Sequence, residues 1–378
     1  MSTITIISHT EHYKNTDGTI VGLGSTVTEI NHLIEVFDAV IHVAMLHKGI
    51  PPASALPYTS NTIKFKALPA LGGPKISDKC AIVWSAASVL NVIHKAIKTT
   101  DYFQFRAPTG IGVFVIPYLL LFSSKKGWFK YAGNWKQEHA PLAYNFQRWL
   151  LKNQHRKVTI NGFWDTQPLQ CLSFENPCLT SEDLKKGKAI KKHKSLDSQA
   201  INLCFVGRLE REKGLDLFIE ALLSLRPAEA SKLKAIHIVG HGNDLEHYRN
   251  TTKSSTLNFI FYGFLSRTEV HAIYEQSHAI VLPSVSEGFP KVISEAMNYG
   301  CLPLVSNISS IEHYISEDVN GFLFYPITLA NVLIQIRKLL NLSAESYVSM
   351  IHSREDQLLK FTYSYYNNRV KHELLTHC

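Results

Sequence analysis

Short apolar runs alternate with longer amphipathic stretches along most of the chain. In the first half, apolar runs predict six strands, at Thr3–Ser8, Asp38–Ala44, Ile63–Leu68, Asp101–Arg106, Trp128–Ala132 and Lys157–Ile160. Helical periodicity predicts helices at Ser25–Phe37, Lys75–Lys98 and Pro141–Lys152. Strands that alternate with helices predict a parallel sheet with helices on both faces.

The alternation pauses after residue 173 and starts again at Ile201. Five further strands are predicted at Ile201–Val206, Lys234–Val239, Leu257–Tyr262, Ala279–Leu282 and Leu302–Val305. Helices are predicted at Leu215–Leu225, Asp244–Thr252, Arg267–Gln276, Pro290–Tyr299 and Ser309–Ile315, and the stretch Ser343–His377 is predicted to be helical throughout. The pattern indicates a second doubly wound α/β domain.

Four segments follow from this pattern. They are a first Rossmann-like domain at 1–180, a basic linker at 181–200, a second Rossmann-like domain at 201–342 and a helical segment at 343–378. The run Lys185–Ser195 contains six lysines and no acid, which predicts a solvated, mobile segment. Contact with a membrane surface or another polyanion is the alternative interpretation.

Composition is that of a globular protein, with 45% hydrophobic and 19% charged residues. The formal net charge of +8 favours an anionic partner, such as phosphates, nucleic acid or an acidic membrane, or serves solubility alone. Charge does not choose among these. The six cysteines form no CxxC pair and no HExxH motif is present, so we predict free thiols and no metal site.

The N-terminus lacks the basic and long apolar regions of a signal peptide. The longest apolar run, Ile111–Phe122, is too short to span a bilayer. We therefore predict a cytoplasmic protein, with a peripheral contact at the inner face of the membrane as an option.

A first group of chemistry-bearing residues follows the strand at Ile201–Val206. Gly207 ends the strand, Arg208 lies at its tip, and Lys213 stands before the next helix. Two cations beside a helix N-terminus suit an anion such as a diphosphate. The alternative is a surface loop whose cations pair with Glu210 and Glu212.

A second group follows the strand at Ala279–Leu282. Glu287 and Gly288 lie in a turn, and Pro290 is suited to the first helical position. Glu295 lies among apolar residues of the following helix and needs a partner, for which a ribose diol is suitable. A helix-dipole role for Glu287 and a structural salt bridge for Glu295 are the alternatives.

Together these segments resemble the C-terminal domain of retaining glycosyltransferases with the GT-B fold, specifically glycosyltransferase family 4 of the surface-polysaccharide type. The matching segments are FVGRLEREKGLD, VGHGNDLE, FYGFLSRTEV, SEGFPKVISEAMNYGCLPLVSN and NGFLF, in order between Ile201 and Phe324. The fold implied is two Rossmann-like domains that face each other across a cleft. Where relatives often carry EGFG, this chain has Pro290, which lacks an N–H.

The resemblance implies a role for each matching residue. Arg208 and Lys213 would neutralise the donor diphosphate, Glu287 would contact the donor sugar, and Glu295 the ribose. The other donor-binding residues implied are Gly24, Gly207, Gly288, Phe289, Phe264 and Leu265. No cofactor and no metal are implied, because relatives use positive side chains and a helix end where other enzymes use a divalent ion.

The first domain matches the family less closely. Gly24 stands where relatives carry a glycine-rich loop, and Arg106 stands where many have a histidine near the reacting sugar. Arg106 is a candidate for acceptor or sugar contact, with a strand-end salt bridge as the alternative. The basic-aromatic segment Lys125–Tyr131 suits a strand, with contact to anionic lipid or stacking on an acceptor sugar as the alternatives. Asn134 and Trp135 beyond it are candidate cleft residues.

The predicted function is transfer of a sugar, with retention, from a nucleotide-diphosphate sugar to a saccharide or lipid-linked saccharide acceptor in polysaccharide, capsule or lipopolysaccharide synthesis. No nucleic-acid partner is predicted. Two alternatives are a nucleotide-sugar 2-epimerase on the same fold and a non-catalytic polyanion-binding protein.

Overall fold

The computed structural model describes residues 2–73 and 81–376, which form two units. The first contains Met1–Asn176 and Tyr363–Cys378, and the second contains Pro177–Thr362. Among the described residues, no helix is long and apolar enough to cross a membrane. The four described cysteines are buried free thiols, at positions 171, 178, 204 and 301.

The first unit is built on a mostly parallel sheet. Its strands are β1 Thr3–Lys14, β2 Ile20–Leu23, β3 Ala39–Leu46, β4 Ala55–Pro57, β5 Ile63–Pro69, β6 Tyr102–Ala107, β7 Lys126–Tyr131, β8 Val158–Ile160 and β9 Cys171–Ser173. The parallel order is β5-β3-β1-β6-β7-β8-β9, while β2 and β4 pair antiparallel beside the end of β1. All six predicted strands are present. The strands β2, β4 and β9 are only three or four residues long, too short for a periodic pattern to be read from the sequence.

Helices of the first unit cover both faces of this sheet, and each face has its own apolar core. The helices are α1 Gly24–Leu33, α2 Ala86–Lys98, α3 Gly112–Leu121 and α4 Leu142–Lys152. The predicted start of α2, at Lys75, lies outside the described residues.

The second unit has a parallel sheet in the order β12-β11-β10-β13-β14-β15. The strands are β10 Ile201–Val206, β11 Leu233–Val239, β12 Phe259–Gly263, β13 Ala279–Leu282, β14 Leu302–Ser306 and β15 Phe322–Phe324. The helices are α5 Ser181–Lys191, α6 Leu215–Leu223, α7 Pro227–Ala230, α8 Leu245–Thr252, α9 Arg267–Gln276, α10 Lys291–Asn298, α11 Leu329–Leu340 and α12 Ala344–His352. One apolar core joins these elements. The predicted helix at Ser309–Ile315 is only a three-residue 3-10 turn, Ile311–His313.

The predicted basic linker is part of the second unit rather than a mobile segment. Thr180 and Asp183 form a capping box that starts α5. Gly187 of α5 packs so closely on Asn298 that a Cβ would come within 2.3 Å of its carbonyl oxygen. Lys191 is buried, and Lys194 Nζ donates to the carbonyl oxygens of Tyr274 (2.8 Å) and Tyr299 (2.7 Å). Lys191 and Lys194 therefore hold this segment against the second unit, while the other four lysines of the run are exposed.

The C-terminal segment is not one helix, and it does not form a separate part. After α12 a 3-10 stretch, Glu355–Phe361, leads to α13, Tyr363–Arg369, and a π-helical turn, Val370–Leu375. Residues from Tyr363 onward pack on the first unit, where Tyr366 is buried and Asn367 Nδ2 donates to His32 O at 2.8 Å. Burial of its aromatic side chains holds this segment against the first unit.

Candidate functional site

The strand order of the second unit places a crevice at the carboxyl ends of β10 and β13. The chain leaves β10 towards β11 and β12, and then crosses to the other side with β13. In open α/β sheets this switch point is where ligands bind. The loops concerned are 207–214 and 283–290, which contain the predicted residues.

Backbone contacts tie these two loops together. Gly214 has φ +74°, and a Cβ there would stand 2.1 Å from the carbonyl oxygen of Pro283. Only glycine tolerates this conformation and this approach. The amide of Val285 donates to the carbonyl of Glu212 at 3.0 Å. The two loops are consequently held in a fixed position relative to each other.

This arrangement of the loops brings Lys213 and Glu287 together. Lys213 Nζ lies 2.5 Å from Glu287 Oε1, and the side chains are 20% and 14% exposed. The pair is therefore partly shielded from water, which strengthens the electrostatic interaction, yet both groups remain accessible to a ligand.

Arg208 occupies the tip of β10 but points into solvent. Its side chain is 69% exposed and its Nη1 lies 3.0 Å from Glu210 Oε1. The surface pairing considered from the sequence is thus present for Arg208. An exposed pair of this kind is weak, so the guanidinium can leave it for a phosphate.

Three glycines allow the backbone after β10 and the backbone after β11 to approach closely at this edge of the sheet. A Cβ on Gly240 would lie 1.8 Å from Gly207 O, and one on Gly242 would lie 2.3 Å from Leu209 O. Gly207 N also donates to Val239 O at 3.0 Å. Gly240 and Gly242 were not singled out as site residues, although both lie in the VGHGNDLE segment that carried the resemblance.

Gly288 and Phe289 have different positions in the turn before α10. Phe289 is a core residue, stacked on Phe361 with ring centroids 5.0 Å apart and in contact with Tyr314. The carbonyl of Gly288 accepts from Ser310 Oγ at 3.0 Å. Phe289 therefore anchors the turn by its side chain, and its backbone is the part available to a ligand.

Glu295 lies in the second turn of α10, with part of its side chain exposed. Burial raises the pKa of its carboxyl, and the charges of Arg267 and Lys291 oppose that rise. Within the described residues we find no hydrogen bond to this carboxylate. A carboxylate in such surroundings is a good acceptor for ligand hydroxyls.

A charged cluster beside Glu295 was not predicted. Arg267 Nη2 donates to Asp183 Oδ2 at 2.7 Å and to Cys178 O at 2.6 Å. Burial raises the pKa of the Asp183 carboxyl, but hydrogen bonds from Arg267 and Thr180 outweigh it, so that the pKa is lowered overall. His271 Nδ1 lies 2.8 Å from Tyr299 OH, and burial lowers its pKa to about 4. The capping spacing of Thr180 and Asp183 was the only sequence signal.

Phe264 and Leu265 follow β12, on the same edge of the sheet. Phe264 is 44% exposed, whereas Leu265 packs partly on the core. Phe264 is therefore the one of the two with a free aromatic face.

The predicted residues of the first unit are more deeply engaged in the fold. Gly24 begins α1, and a Cβ there would stand 2.7 Å from Ser54 O. Arg106 Nη2 donates to Glu29 Oε1 at 2.9 Å, and Lys130 Nζ lies 2.6 Å from the same atom, all three residues being buried. The strand-end salt bridge considered for Arg106 is thus present.

Beyond β7, Asn134 Oδ1 accepts from the amide of Lys136 at 2.9 Å and is partly exposed. Trp135 is a core residue, packed edge-on against Tyr131 with ring centroids 5.0 Å apart. The prediction that Trp135 faces the cleft is therefore wrong, because its indole is buried in the apolar core.

Within residues 2–73 and 81–376, no group of three or more His, Cys, Asp or Glu side chains is placed to hold a metal ion. Metal independence itself remains a prediction. The electrostatics of the site rest on Arg208, Lys213 and the start of α10.

Comparison with known proteins shows what the second unit is similar to. Residues 187–356 match the family model of glycosyl transferases group 1. All the candidate residues of the second unit lie in this glycosyl transferases group 1 region. Two relatives are similar to this chain over only about a third of their own length.

An uncharacterized glycosyltransferase of Methanocaldococcus jannaschii is 29% identical over 126 residues, 33% of this chain and 32% of the relative. The UDP-Gal:alpha-D-GlcNAc-diphosphoundecaprenol alpha-1,3-galactosyltransferase of Escherichia coli is 29% identical over 143 residues, 37% of this chain and 36% of the relative.

The crystal structure of Anabaena HepE in complex with UDP and glucose superposes with a TM-score of 0.69, covering 100% of both chains at 13% identity. At this identity the likeness shows the fold alone. The predicted fold, GT-B with two Rossmann-like domains, is confirmed.

Proposed function

We propose that this protein is a glycosyltransferase that moves a sugar, with retention of anomeric configuration, from a nucleotide-diphosphate sugar to a saccharide acceptor. The observation that carries the proposal is the Lys213–Glu287 pair at the switch point of the sheet, inside the glycosyl transferases group 1 region. A cation for the diphosphate and a carboxylate for sugar hydroxyls lie side by side there.

In the proposed reaction the acceptor hydroxyl attacks the anomeric carbon from the face that the diphosphate leaves. The bond between the anomeric carbon and the phosphate oxygen breaks, and that oxygen takes the acceptor proton. Lys213 and Arg208 stabilise the negative charge that develops on the leaving diphosphate. Glu287 binds sugar hydroxyls, and Glu295 binds the ribose diol.

Two features support the donor class. HepE was crystallised with UDP and glucose, and the Escherichia coli relative is named for a UDP-galactose donor. That relative is also named for a diphosphoundecaprenol acceptor, which supports a lipid-linked saccharide acceptor in surface-polysaccharide assembly. We further propose that the reaction needs no metal and takes place in the cytoplasm, at the inner face of the membrane.

The test is a thermal-shift titration of the protein with UDP-, GDP-, ADP- and CMP-sugars, with chelator present. A donor that binds the folded state raises the melting temperature. We expect one donor class to do so, and the effect to be lost in Lys213→Ala and Glu295→Ala but kept in Arg249→Ala, an exposed arginine on α8. Absence of any shift at millimolar donor would contradict the proposal.

Product analysis distinguishes a retaining glycosyltransferase from a nucleotide-sugar 2-epimerase. With an acceptor present, NMR of the product should show the anomeric configuration of the donor. Conversion of a UDP-sugar to another UDP-sugar without an acceptor would instead indicate a 2-epimerase.

A further inference from the structure

Helix α4 of the first unit presents an apolar face to solvent. Leu142, Phe146 and Trp149 are 88%, 41% and 59% exposed. Their spacing of four and three residues puts them in one stripe along the helix. The rings of Phe146 and Trp149 stack with centroids 6.2 Å apart, so the stripe is a continuous surface.

The buried face of the same helix holds two polar side chains beside the core residue Leu151. Gln147 Nε2 donates to Thr109 O at 2.8 Å, and its Oε1 accepts from Thr109 N at 3.1 Å. Arg148 donates to the carbonyl oxygens of Trp135 (3.1 Å) and Gln137 (2.7 Å). A surface helix ordinarily has polar side chains, not large apolar ones, on its outer face. The outer apolar stripe is therefore separate from the face with which the helix packs on the first unit.

The stretch of chain that contains α4 has a strongly positive net charge. Residues 81–160 contain eleven Lys and Arg residues against two acids, Asp101 and Glu138, a net charge of +9 where the whole chain has +8. Helix α4 contains no acid, and the exposed Lys152 ends it one turn after Trp149. An anionic partner is favoured over a neutral or basic one.

The basic segments singled out in the sequence do not offer the same combination. Trp128, Phe129 and Tyr131 of the segment Lys125–Tyr131 are buried in β7. In the second unit, Lys191 and Lys194 anchor α5. Only on α4, among these segments, do large apolar side chains and positive charge meet at the surface.

We propose that the outer face of α4 seats in the headgroup region of an anionic lipid bilayer, with Leu142, Phe146 and Trp149 inserted and Lys152 at the phosphates. The stripe offers on the order of 300–400 Å², less than the roughly 800 Å² that a stable protein partner covers. Leucine with aromatic residues and nearby lysine is what shallow interfacial insertion requires. This surface does not depend on the proposed sugar transfer.

The experiment is co-sedimentation of the protein with phosphatidylcholine vesicles, with and without phosphatidylglycerol. We expect binding to the anionic vesicles only, weakened by salt because the charged part is screened. Phe146→Gln with Trp149→Gln should weaken binding at least about tenfold. Leu223→Gln on α6, at an apolar position 43% exposed, is the matched control and should bind like the wild type.

Circular dichroism and melting temperature establish that each variant is folded, and Leu142→Gln alone serves if the double variant is not. Equal binding of the variants and the wild type would overturn the proposal, as would failure of the wild type to bind anionic vesicles. So would a concentration-dependent dimer in solution that the same substitutions abolish, because the stripe would then be covered by a second copy.

Discussion

The ammonium of Lys213 lies 2.5 Å from Oε1 of Glu287, although 74 residues separate them in the chain. Each residue belongs to a different loop, and the loops meet because β10 and β13 are neighbours in the sheet. The pair forms the most specific part of the candidate donor site.

Replacing Lys213 with Ala should weaken nucleotide-sugar binding by about 10–100-fold. A hydrogen bond to a charged group contributes about 1.5–3 kcal/mol, which corresponds to that change in affinity. Isothermal titration with the donor found by thermal shift measures it. Unchanged affinity in this variant, beside an unchanged Arg249→Ala control, would remove Lys213 from the donor site.

Replacing Gly214 with Ala should lower the free energy of unfolding by about 2–5 kcal/mol, since it combines a left-handed φ with a clash against Pro283 O. Gly263 is the matched control, because it has φ +71° but nothing within 4 Å of a Cβ. Gly263→Ala should cost only the conformational part, about 1–2 kcal/mol. Urea denaturation of both variants gives the two values, and equal losses would show that the contact with Pro283 is not tight.

Replacing Glu295 with Gln should stabilise the folded protein at neutral pH and impair donor binding. Burial raises the pKa of this carboxyl, so its stabilising contribution is full below the unfolded-state pKa and is lost as pH rises through the folded-state pKa. At pH 7 the charged carboxylate therefore lowers the free energy of unfolding, and the neutral Gln side chain removes this destabilisation. Melting curves at pH 7 and pH 4 should show a gain in the variant at the higher pH only; an equal gain at both would contradict the assignment.

The first unit should lose stability between about pH 6.5 and pH 4. Burial lowers the pKa of His12 to about 4, and the ring is hydrogen-bonded to Tyr58 OH at 3.0 Å. A lowered histidine pKa contributes stability that is present above the unfolded-state value and is lost as pH falls towards the folded-state value. For His12 this amounts to about 3 kcal/mol at most.

Chemical denaturation across this pH range should therefore show a shallower loss in His12→Gln than in the wild type. The exposed His155→Gln is the control. Parallel pH profiles for all three proteins would mean that another group, such as the buried His42 on β3, carries the effect.

The order of the elements could be read from the sequence because alternation of apolar runs and amphipathic stretches is a local property. Ile201–Val206, Ala279–Leu282 and Arg267–Gln276 have the predicted boundaries. The spacing of Glu287 and Glu295 is local too, and it lies in one of the five segments that carried the resemblance, which the family match to residues 187–356 supports.

Tertiary structure alone decided which polar groups meet and which side of an element is outside. The buried Arg106–Glu29–Lys130 group joins three elements, and the Arg267–Asp183 pair joins α9 to a helix expected to be a linker. Which apolar residues of α4 face solvent could not be read from its periodicity, because a hydrophobic stripe ordinarily predicts a buried face. Here carbonyl acceptors in the neighbouring loops satisfy Gln147 and Arg148, and the apolar stripe is left facing solvent.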